Sequence, residues 1–248
     1  MDLQLAGKTF LVTGGSAGLG FATAQALVGE GARVIVNGRD QNRLEAAVSA
    51  LGDAAEGVDG DLGAPATAER LLAAAARLGR LDGALISVGG PPPGSVLGTE
   101  MGTWEQEFDT IFLGTLRLLK AIVPRLRAGG AIGIVLSSSV KNPIRDLAVS
   151  NGLRPGLAML MKTLADEVGP DGIRVFGLMP GRIQTARTGL LDDRDDADVH
   201  RRIMESIPLG RQGQAEEFGR VAAFLLSPAA SYVTGCVIPV DGGMMRSL

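Results

Sequence analysis

A glycine-rich turn near the N-terminus constrains this chain more than any other feature. Residues 13–20 read Thr-Gly-Gly-Ser-Ala-Gly-Leu-Gly, after an apolar run at 9–12 and before a helical run from Phe21 to Glu30. The order strand, glycine turn, helix offers free backbone N–H groups and a positive helix end to a phosphate. Because the chain has 36 glycines, an ordinary tight turn is an equal alternative until the other segments are considered.

Length and composition exclude several classes of function. The 248 residues are 46% hydrophobic, enough to cover both faces of a buried parallel sheet. No apolar run approaches the ~20 residues of a membrane span, and residues 1–5 lack the regions of a signal peptide. We therefore expect a cytoplasmic protein without a membrane partner.

Single residues narrow the chemistry further. Cys236 is the only cysteine and His200 the only histidine, which excludes an intrachain disulfide and nearly excludes multi-ligand metal sites and Ser-His-Asp triads. A net charge of −3 and 4% aromatic residues give no footprint for nucleic acid. Composition therefore favours a protein that acts on small molecules.

Short apolar strands alternate with longer helical patterns, an order that predicts βαβ units on a parallel sheet. Strands are predicted at 9–12, 33–36, 56–58, 83–87, 131–136, 173–178 and 237–240. Helices are predicted at 18–30, up to 51 after a cap at Asp40, 64–78, 101–126, from 151 or later to 168, and 215–226. We predict an α/β fold, a Rossmann-type doubly wound parallel sheet of about seven strands with helices on both faces, in one domain over 1–248.

The polar stretch 182–208 is expected to form a lid over a substrate. It contains four aspartates, Asp192, Asp193, Asp195 and Asp196. A solvated acidic segment is the preferred interpretation of this cluster, and a metal site is the minor alternative. We predict no metal ion elsewhere in the chain.

Taken in order, the motifs resemble those of the short-chain dehydrogenase/reductase family, from one end of the chain to the other. The turn at 13–20 is similar to the family motif Thr-Gly-x-x-x-Gly-x-Gly. The most specific blocks are Pro-Leu-Gly-Arg at 208–211, Phe-Leu-Leu-Ser at 224–227 and Val-Asp-Gly-Gly at 240–243. Within the family, the chain most resembles the β-ketoacyl carrier-protein reductase-like members.

This resemblance implies a dinucleotide site at the carboxyl edge of the sheet, where open α/β sheets bind ligands. It implies that Asp61 and Leu62 contact adenine, and that Pro180, Gly181 and Thr185 hold the nicotinamide amide. The residues implied to bind the cofactor are Gly14, Ser16, Gly18, Leu19, Gly20, Arg39, Asp61, Leu62, Gly89, Arg154, Pro180, Gly181, Ile183 and Thr185.

The choice between NADP and NAD depends on the end of the second strand. An acidic residue there would bind the ribose of NAD, whereas this chain has Asn37-Gly38-Arg39 and no carboxylate before Asp40. Arg39 could clamp a 2′-phosphate with its planar guanidinium, although a solvated surface arginine is the alternative. Because Ser16 and Ala17 stand where NADP-preferring relatives often carry a second basic residue, we expect NADP and keep NAD open.

The chain departs from the family in the residues that perform the chemistry. The resemblance implies an asparagine, a serine, a tyrosine and a lysine. Ser139 fits the serine position, with Ser138 as the near alternative. Alignment on the Gly-Leu pair at 156–157 puts Ser150 in place of the tyrosine and Arg154 in place of the lysine.

The remaining catalytic position departs as well. The asparagine position aligns with Ile111, and the only tyrosine, Tyr232, belongs to a C-terminal block that cannot be shifted into this site. The combination resembles a divergent branch of the family whose catalytic set is imperfect.

These replacements change the acid–base chemistry. A phenol has a pKa near ~10 that a neighbouring cation can lower toward working pH, whereas a serine hydroxyl is a far weaker acid. Arginine keeps its charge and relays no proton, but it can bind ribose hydroxyls and stabilise an oxyanion. An equal alternative is that Ser150 caps a helix and Arg154 only grips the cofactor.

Pro155 bears on where Arg154 points. Proline suits the first turn of a helix and disfavours helical angles in the residue before it. We therefore expect Arg154 at the helix entrance, turned away from the direction of the family lysine. Lys141 is another cation that could reach the pocket, although a solvent-facing loop lysine is the favoured interpretation.

Two functions from different classes follow. The first is an NADP(H)-dependent oxidoreductase acting on a carbonyl or alcohol, with Ser139 orienting the substrate and a water or substrate group on Ser150 supplying the proton. The second is a cofactor-binding protein with little turnover, in sensing or assembly. The apolar surfaces of the helices at 101–126 and 151–168 predict a homodimer or homotetramer.

Overall fold

The computed structural model describes residues 1–186, 188–189 and 197–247. Its strands are β1 (Thr9–Val12), β2 (Arg33–Gly38), β3 (Ala55–Asp59), β4 (Gly83–Ile86), β5 (Ala131–Val135), β6 (Arg174–Pro180), β7 (Ile183–Gln184), β8 (Gly213–Gln214) and β9 (Val237–Val240). Its α-helices are α1 (Gly18–Gly29), α2 (Gln41–Leu51), α3 (Pro65–Arg77), α4 (Met101–Glu107), α5 (Gly114–Ile122), α6 (Ala148–Val168), α7 (Ala197–Ser206) and α8 (Ala215–Leu226).

Seven of the described strands form one parallel sheet in the order β3-β2-β1-β4-β5-β6-β9. The chain winds outward from β1 in one direction and then from β4 in the other, so the strand order reverses between β1 and β4. A crevice opens at such a reversal beyond the carboxyl ends of the strands. The predicted Rossmann-type doubly wound sheet is confirmed.

Apolar side chains cover both faces of this sheet. Phe10 and Val12 pack with α1, α2 and α8 on one face, while Leu11, between them, packs with α3, α5 and α6 on the other. Successive strand residues point to opposite faces, so each buried strand reads as a continuous apolar run. The sheet is the rigid support on which the loops at its carboxyl edge stand.

The α2 helix begins as predicted, at the cap formed by Asp40. The Asp40 Oδ1 atom accepts a hydrogen bond of 3.0 Å from the Arg43 amide, which satisfies one of the free donors of the first turn. This cap ends the turn that follows β2 and starts α2 at Gln41.

The long helix expected over 101–126 is present as one continuous helical stretch from Met101 to Arg125, but it is not α-helical throughout. The α4 helix passes into a π-helical segment, Phe108–Leu113, before α5, and a 3₁₀ turn, Val123–Arg125, follows. Where α5 begins, Gly114 lies against the Leu62 main chain, since a Cβ on it would come 2.6 Å from the Leu62 carbonyl oxygen. The π-helical segment therefore ends where the helix contacts the loop after β3.

The α6 helix begins at Ala148, earlier than the expected start at 151 or later. Two contacts stabilise the early start. The Ala148 amide donates to the Gly94 carbonyl at 3.1 Å, and the Asn151 side chain bonds both main-chain groups of Ile144. Pro155 consequently lies inside the helix, where it costs one main-chain hydrogen bond.

The stretch 182–208 contains more regular structure than a polar lid suggests. Strand β7 pairs with β8, and α7 spans Ala197–Ser206. The aspartates Asp192, Asp193, Asp195 and Asp196 lie outside the described residues. Among the helices described, none combines the length and hydropathy needed to cross a bilayer.

Candidate active site

The glycine turn between β1 and α1 is shaped for an anion. Gly14 and Gly18 have left-handed φ values of +57° and +55°, and a Cβ on Gly14 would lie 2.5 Å from the Ser87 carbonyl oxygen. Ala17, the N-cap residue of α1, provides no side-chain cap, and the first turn carries no acidic residue. The helix N-terminus therefore presents its amide donors outward, which fits a pyrophosphate.

The other residues of the turn have distinct surroundings. A Cβ on Gly20 would lie 2.4 Å from the Gly14 carbonyl oxygen, so α1 closes tightly on the turn. Ser16 abuts the end of β2, with its Oγ 2.6 Å from the position of a Cβ on Gly38. Leu19 packs on the core beneath α1. The Thr13 hydroxyl exchanges hydrogen bonds of 3.0 and 2.9 Å with the main chain of Ser87, joining the turn to β4.

The residues implied to hold the adenosine end lie together. The Arg39 guanidinium forms an ion pair of 3.3 Å with Asp61 Oδ2, while Asp61 Oδ1 accepts from the Gly63 amide at 2.7 Å. Leu62 is buried beside them. Gly89 lies next to Arg39, whose Nη2 would be 3.7 Å from a Cβ on that glycine. The ends of β2, β3 and β4 thus line one side of the crevice.

The segment implied to hold the nicotinamide amide closes the other side. The Gly181 amide donates to the Val240 carbonyl at 3.0 Å, just after Pro180 ends β6. Ile183 is buried, and the Thr185 methyl group lies 3.4 Å from the position of a Cβ on Gly18. This segment therefore returns from β6 to the glycine turn.

Ser139 and Ser150 meet in the interior. Their Oγ atoms are 3.2 Å apart, and the Ser139 hydroxyl also lies 3.4 Å from the Ser150 carbonyl oxygen. Each residue is only 5% exposed. Ser139 follows β5 in a 3₁₀ turn, and Ser150 lies in the first turn of α6. This contact supports Ser139 over Ser138 as the residue at the serine position.

The position of Ser150 bears on the alternative, raised from the sequence, that this residue caps a helix. The N-cap residue of α6 is Leu147, and no side chain caps this helix. Ser150 therefore does not serve as the cap. Its hydroxyl faces Ser139 instead.

Arg154 does not stand at the helix entrance, and that prediction was wrong. It lies in the second turn of α6 and is only 4% exposed. Its Nη1 donates to the Val135 carbonyl at 2.7 Å, and its Nη2 lies 3.1 and 3.3 Å from the Val88 and Gly89 carbonyls. The early start of α6 turns the side chain inward, where it joins the loops after β4 and β5.

Three other residues considered from the sequence make no hydrogen bond to the serine pair among the contacts described. Ile111, at the asparagine position, is fully buried and its carbonyl accepts from the Thr115 hydroxyl. Lys141 is exposed on the loop after the 3₁₀ turn, as the favoured interpretation has it. Tyr232 is fully exposed near the C-terminal strand. Neither the Lys141 side chain nor the Tyr232 side chain contributes an acid to the crevice.

Sequence reasoning missed several residues that shape the crevice. Buried Asn37 donates from Nδ2 to the carbonyls of Val58 and Gly60, both at 3.0 Å, and so joins the ends of β2 and β3. Asp146 has a φ of +56°, and its carbonyl accepts from the Gly94 amide at 2.7 Å. Asparagine and aspartate commonly occupy such local positions, yet the sequence alone does not name their partners.

A metal centre receives no support from the described residues. Within them, no group of three or more His, Cys, Asp or Glu side chains is arranged to hold a metal ion. Among the described residues, the crevice offers main-chain donors at α1, two buried hydroxyls, the Asp61 carboxylate and the cations Arg39 and Arg154.

Comparison with known proteins assigns the family. Residues 14–245 match the family model described as enoyl-(acyl carrier protein) reductase. The human dehydrogenase/reductase SDR family member 4 is 34% identical over 247 residues, covering 96% of this chain and 88% of that protein. The chain belongs to the short-chain dehydrogenase/reductase family of oxidoreductases.

Solved structures share the fold over nearly the whole chain. L-sorbose reductase from Gluconobacter frateurii, solved with NADPH and L-sorbose, is 28% identical with a TM-score of 0.91 and full coverage of both chains. A 3-ketoacyl-(acyl-carrier-protein) reductase from Brucella melitensis, solved with NADH, is 28% identical with a TM-score of 0.88, covering 97% of this chain and 99% of its own.

A third solved structure is also similar over the whole chain. It is a short-chain oxidoreductase from Pseudomonas aeruginosa PAO1, described as containing an atypical catalytic center. It is 29% identical to this chain, with a TM-score of 0.91 and full coverage of both chains.

Proposed function

We propose that this protein is an NADP(H)-dependent oxidoreductase that interconverts a carbonyl and an alcohol through an atypical active site. The observation that carries the proposal is the buried hydroxyl pair of Ser139 and Ser150, 3.2 Å apart at the same sheet edge as the glycine turn. A nicotinamide cofactor, when bound, supplies or accepts the hydride. The protein must then orient the substrate oxygen and provide for its proton.

The proton is the step for which the family residues are missing. Reduction of a carbonyl adds a hydride at carbon and a proton at oxygen. In our proposal Ser139 donates a hydrogen bond that orients the substrate oxygen, and a water or substrate hydroxyl held by Ser150 gives the proton. Arg154 contributes its fixed positive charge close by.

Preference for NADP is proposed from the end of β2. The Asn37 side chain already donates hydrogen bonds to two carbonyls at the end of β3. Arg39 is the next charged side chain along the chain at the crevice. Arg39 and Asp61 form an exposed ion pair, in which the Arg39 side chain is 68% exposed and the Asp61 side chain is 37% exposed. Such a pair is worth at most about 1 kcal/mol, so exchange of the carboxylate for a phosphate costs little.

The substrate class follows from likeness and is the finer part of the proposal. The Brucella structure supports a 3-oxoacyl carrier-protein reductase-like activity. The Pseudomonas structure supports catalysis by a short-chain oxidoreductase with an unusual centre. We propose a small carbonyl or alcohol substrate under a lid formed by 182–208.

The second candidate function is dinucleotide binding with little turnover, in sensing or assembly. One observation favours it: the Arg154 guanidinium donates to three main-chain carbonyls, which suits a structural brace better than a catalytic cation. The two candidates share the cofactor site and differ in whether the serine pair supports hydride transfer.

One experiment separates these candidates. NADPH and NADH are titrated by fluorescence, and the saturated protein is then offered β-ketoacyl thioesters, ketones, aldehydes and quinones. Turnover of any of these supports the enzyme, and binding without turnover supports the second candidate. Failure to bind either nucleotide contradicts both. Tighter binding of NADH, unchanged in Arg39→Ala, contradicts the preference for NADP.

We also propose a single domain over 1–248 that assembles as a homodimer or homotetramer in the cytoplasm. Met159 on α6 is 69% exposed and Phe108, the first residue of the π-helical segment, is 41% exposed, so both helices expected at the interface carry an exposed large apolar side chain. Light scattering during size-exclusion chromatography tests the assembly. A monomer at micromolar concentration contradicts it.

A further inference from the structure

The π-helical segment packs directly behind the loop that carries Asp61 and Leu62. A Cβ on Gly63 would lie 3.0 Å from Asp109 Oδ2 and 3.1 Å from the Thr110 hydroxyl. Short π-helical segments inside α-helices occur frequently at functional sites. Here the segment touches the loop implied to meet adenine, through Gly63.

Arg117 on α5 links the segment to the loop. Its Nη2 donates to Asp109 Oδ1 at 2.6 Å, and its Nη1 donates to the Gly63 carbonyl at 2.9 Å. Both side chains are about one-third to two-fifths exposed, at 34% for Arg117 and 42% for Asp109. The planar guanidinium can bind two acceptors in a fixed geometry, so Asp109 orients Arg117 and Arg117 holds Gly63.

Gly63 in turn orients the Asp61 carboxylate. Its amide donates to Asp61 Oδ1 at 2.7 Å, and the Thr110 hydroxyl lies 3.5 Å from the same oxygen. The other oxygen, Oδ2, faces Arg39. The Gly63 amide and carbonyl belong to the two peptide groups that meet at its Cα, so a displacement of Gly63 on loss of the Arg117 bond would also move the donor to Asp61 Oδ1. The side of the crevice where adenosine is expected would then be misaligned.

We infer that Asp109 and Arg117 are positioning residues for the adenosine end of the dinucleotide, acting through Gly63 on Asp61. This inference rests on the proposed function, because it requires a dinucleotide in the crevice. It adds residues outside the crevice that adjust cofactor affinity without touching the reacting atoms.

The test measures the two halves of the cofactor separately. The affinities of NADPH, of the adenosine half as ADP and 2′,5′-ADP, and of reduced nicotinamide mononucleotide are compared for wild type, Arg117→Met and Asp109→Asn. In Arg117→Met, we expect NADPH and the adenosine half to bind about tenfold more weakly, as for the loss of one charged hydrogen bond. The nicotinamide half should keep its affinity, and Asp109→Asn should give a smaller loss in the same direction.

Matched controls keep the outcome specific. Arg77→Met removes another arginine of an exposed ion pair, with Glu56 at the far end of β3, and should change no affinity. Arg117→Lys, which retains the charge without the planar fork, serves if Arg117→Met does not fold. Equal losses for both halves, or none for the adenosine half, overturn the inference. A wild-type protein that binds no dinucleotide overturns the proposed function instead.

Discussion

The two sides of the crevice differ in how far they follow their family. At the glycine turn, recognition depends on main-chain amides and on glycines whose Cβ atoms would clash, and the family pattern is intact. At the start of α6, the chemistry depends on the identity of side chains, and Ser150 and Arg154 replace the expected pair. Main-chain recognition survives wherever the backbone path survives, whereas proton transfer requires particular functional groups.

The largest effect is expected at Arg154, on the divergent side. Arg154→Met leaves the carbonyls of Val135, Val88 and Gly89 without this donor. We expect the free energy of unfolding to fall by about 3 kcal/mol, since a buried hydrogen bond to a charged group contributes ~1.5–3 kcal/mol. Urea denaturation followed by circular dichroism measures the loss.

Arg154→Lys is the matched variant for this prediction. It keeps the charge, but lysine has no planar group that could bind carbonyls on two loops. Its free energy of unfolding should therefore lie between those of wild type and Arg154→Met. If Arg154→Met is as stable as wild type, the guanidinium is no brace. A role toward cofactor or substrate is then the better interpretation.

The second prediction concerns the glycine turn, the side of the crevice that keeps the family motif. Gly14→Ala places a side chain at a left-handed φ and against the Ser87 carbonyl. Strain of about 2 kcal/mol at such a position should shift the turn and weaken NADPH binding about 30-fold. Fluorescence titration measures the dissociation constant.

Gly102→Ala in α4 is the control, because a Cβ there meets nothing within 4 Å. Its NADPH affinity should equal that of wild type. Unchanged affinity in Gly14→Ala would mean that the turn does not contact the nucleotide, and the contrast between the two sides would disappear.

Most of the fold could be predicted from the sequence, because strands buried on both faces are continuous apolar runs between turn residues. The predicted strands all exist, with ends that differ by at most two residues. The π-helical segment could not be predicted from local sequence patterns; where it ends, Gly114 lies against the Leu62 main chain. That contact joins residues far apart in sequence.

The site divides in the same way. Motif spacing predicted the glycine turn, and resemblance to the family singled out Ser139 and Ser150, whose contact the structure adds. Sequence reasoning misplaced Arg154, because the local preference of Pro155 was outweighed by the Asn151–Ile144 and Ala148–Gly94 contacts that begin α6 earlier. Tertiary contacts override a local preference when they supply more hydrogen bonds than it forfeits.

The third prediction tests the serine pair as a unit. Ser139→Ala and Ser150→Ala should each reduce kcat/KM about tenfold for a substrate found in the screen, while NADPH affinity stays unchanged. The double variant should lose less than the sum, with a coupling near 1 kcal/mol. Additive losses would mean that the two hydroxyls act independently, and undiminished turnover would remove both from the reaction.

The smallest effect concerns the start of α8, which directly follows β8, the partner strand of β7. There the Glu217 carboxylate accepts from Arg211 and from the Gln214 amide, and these bonds lower the pKa of Glu217 to about 2. A lowered pKa in the folded state stabilises the protein above the ordinary carboxyl value, and that contribution is lost as pH falls from about 4.5 toward 2.

Glu217→Gln should therefore melt slightly below wild type at pH 7, with the difference in Tm vanishing toward pH 2. Because the pair is exposed, the effect should be small and should weaken with salt. Glu216→Gln, one residue earlier in the same first turn of α8, controls for the change of net charge. A Tm difference that persists at pH 2, or one that Glu216→Gln reproduces, would mean that the Arg211 pair does not anchor the start of α8.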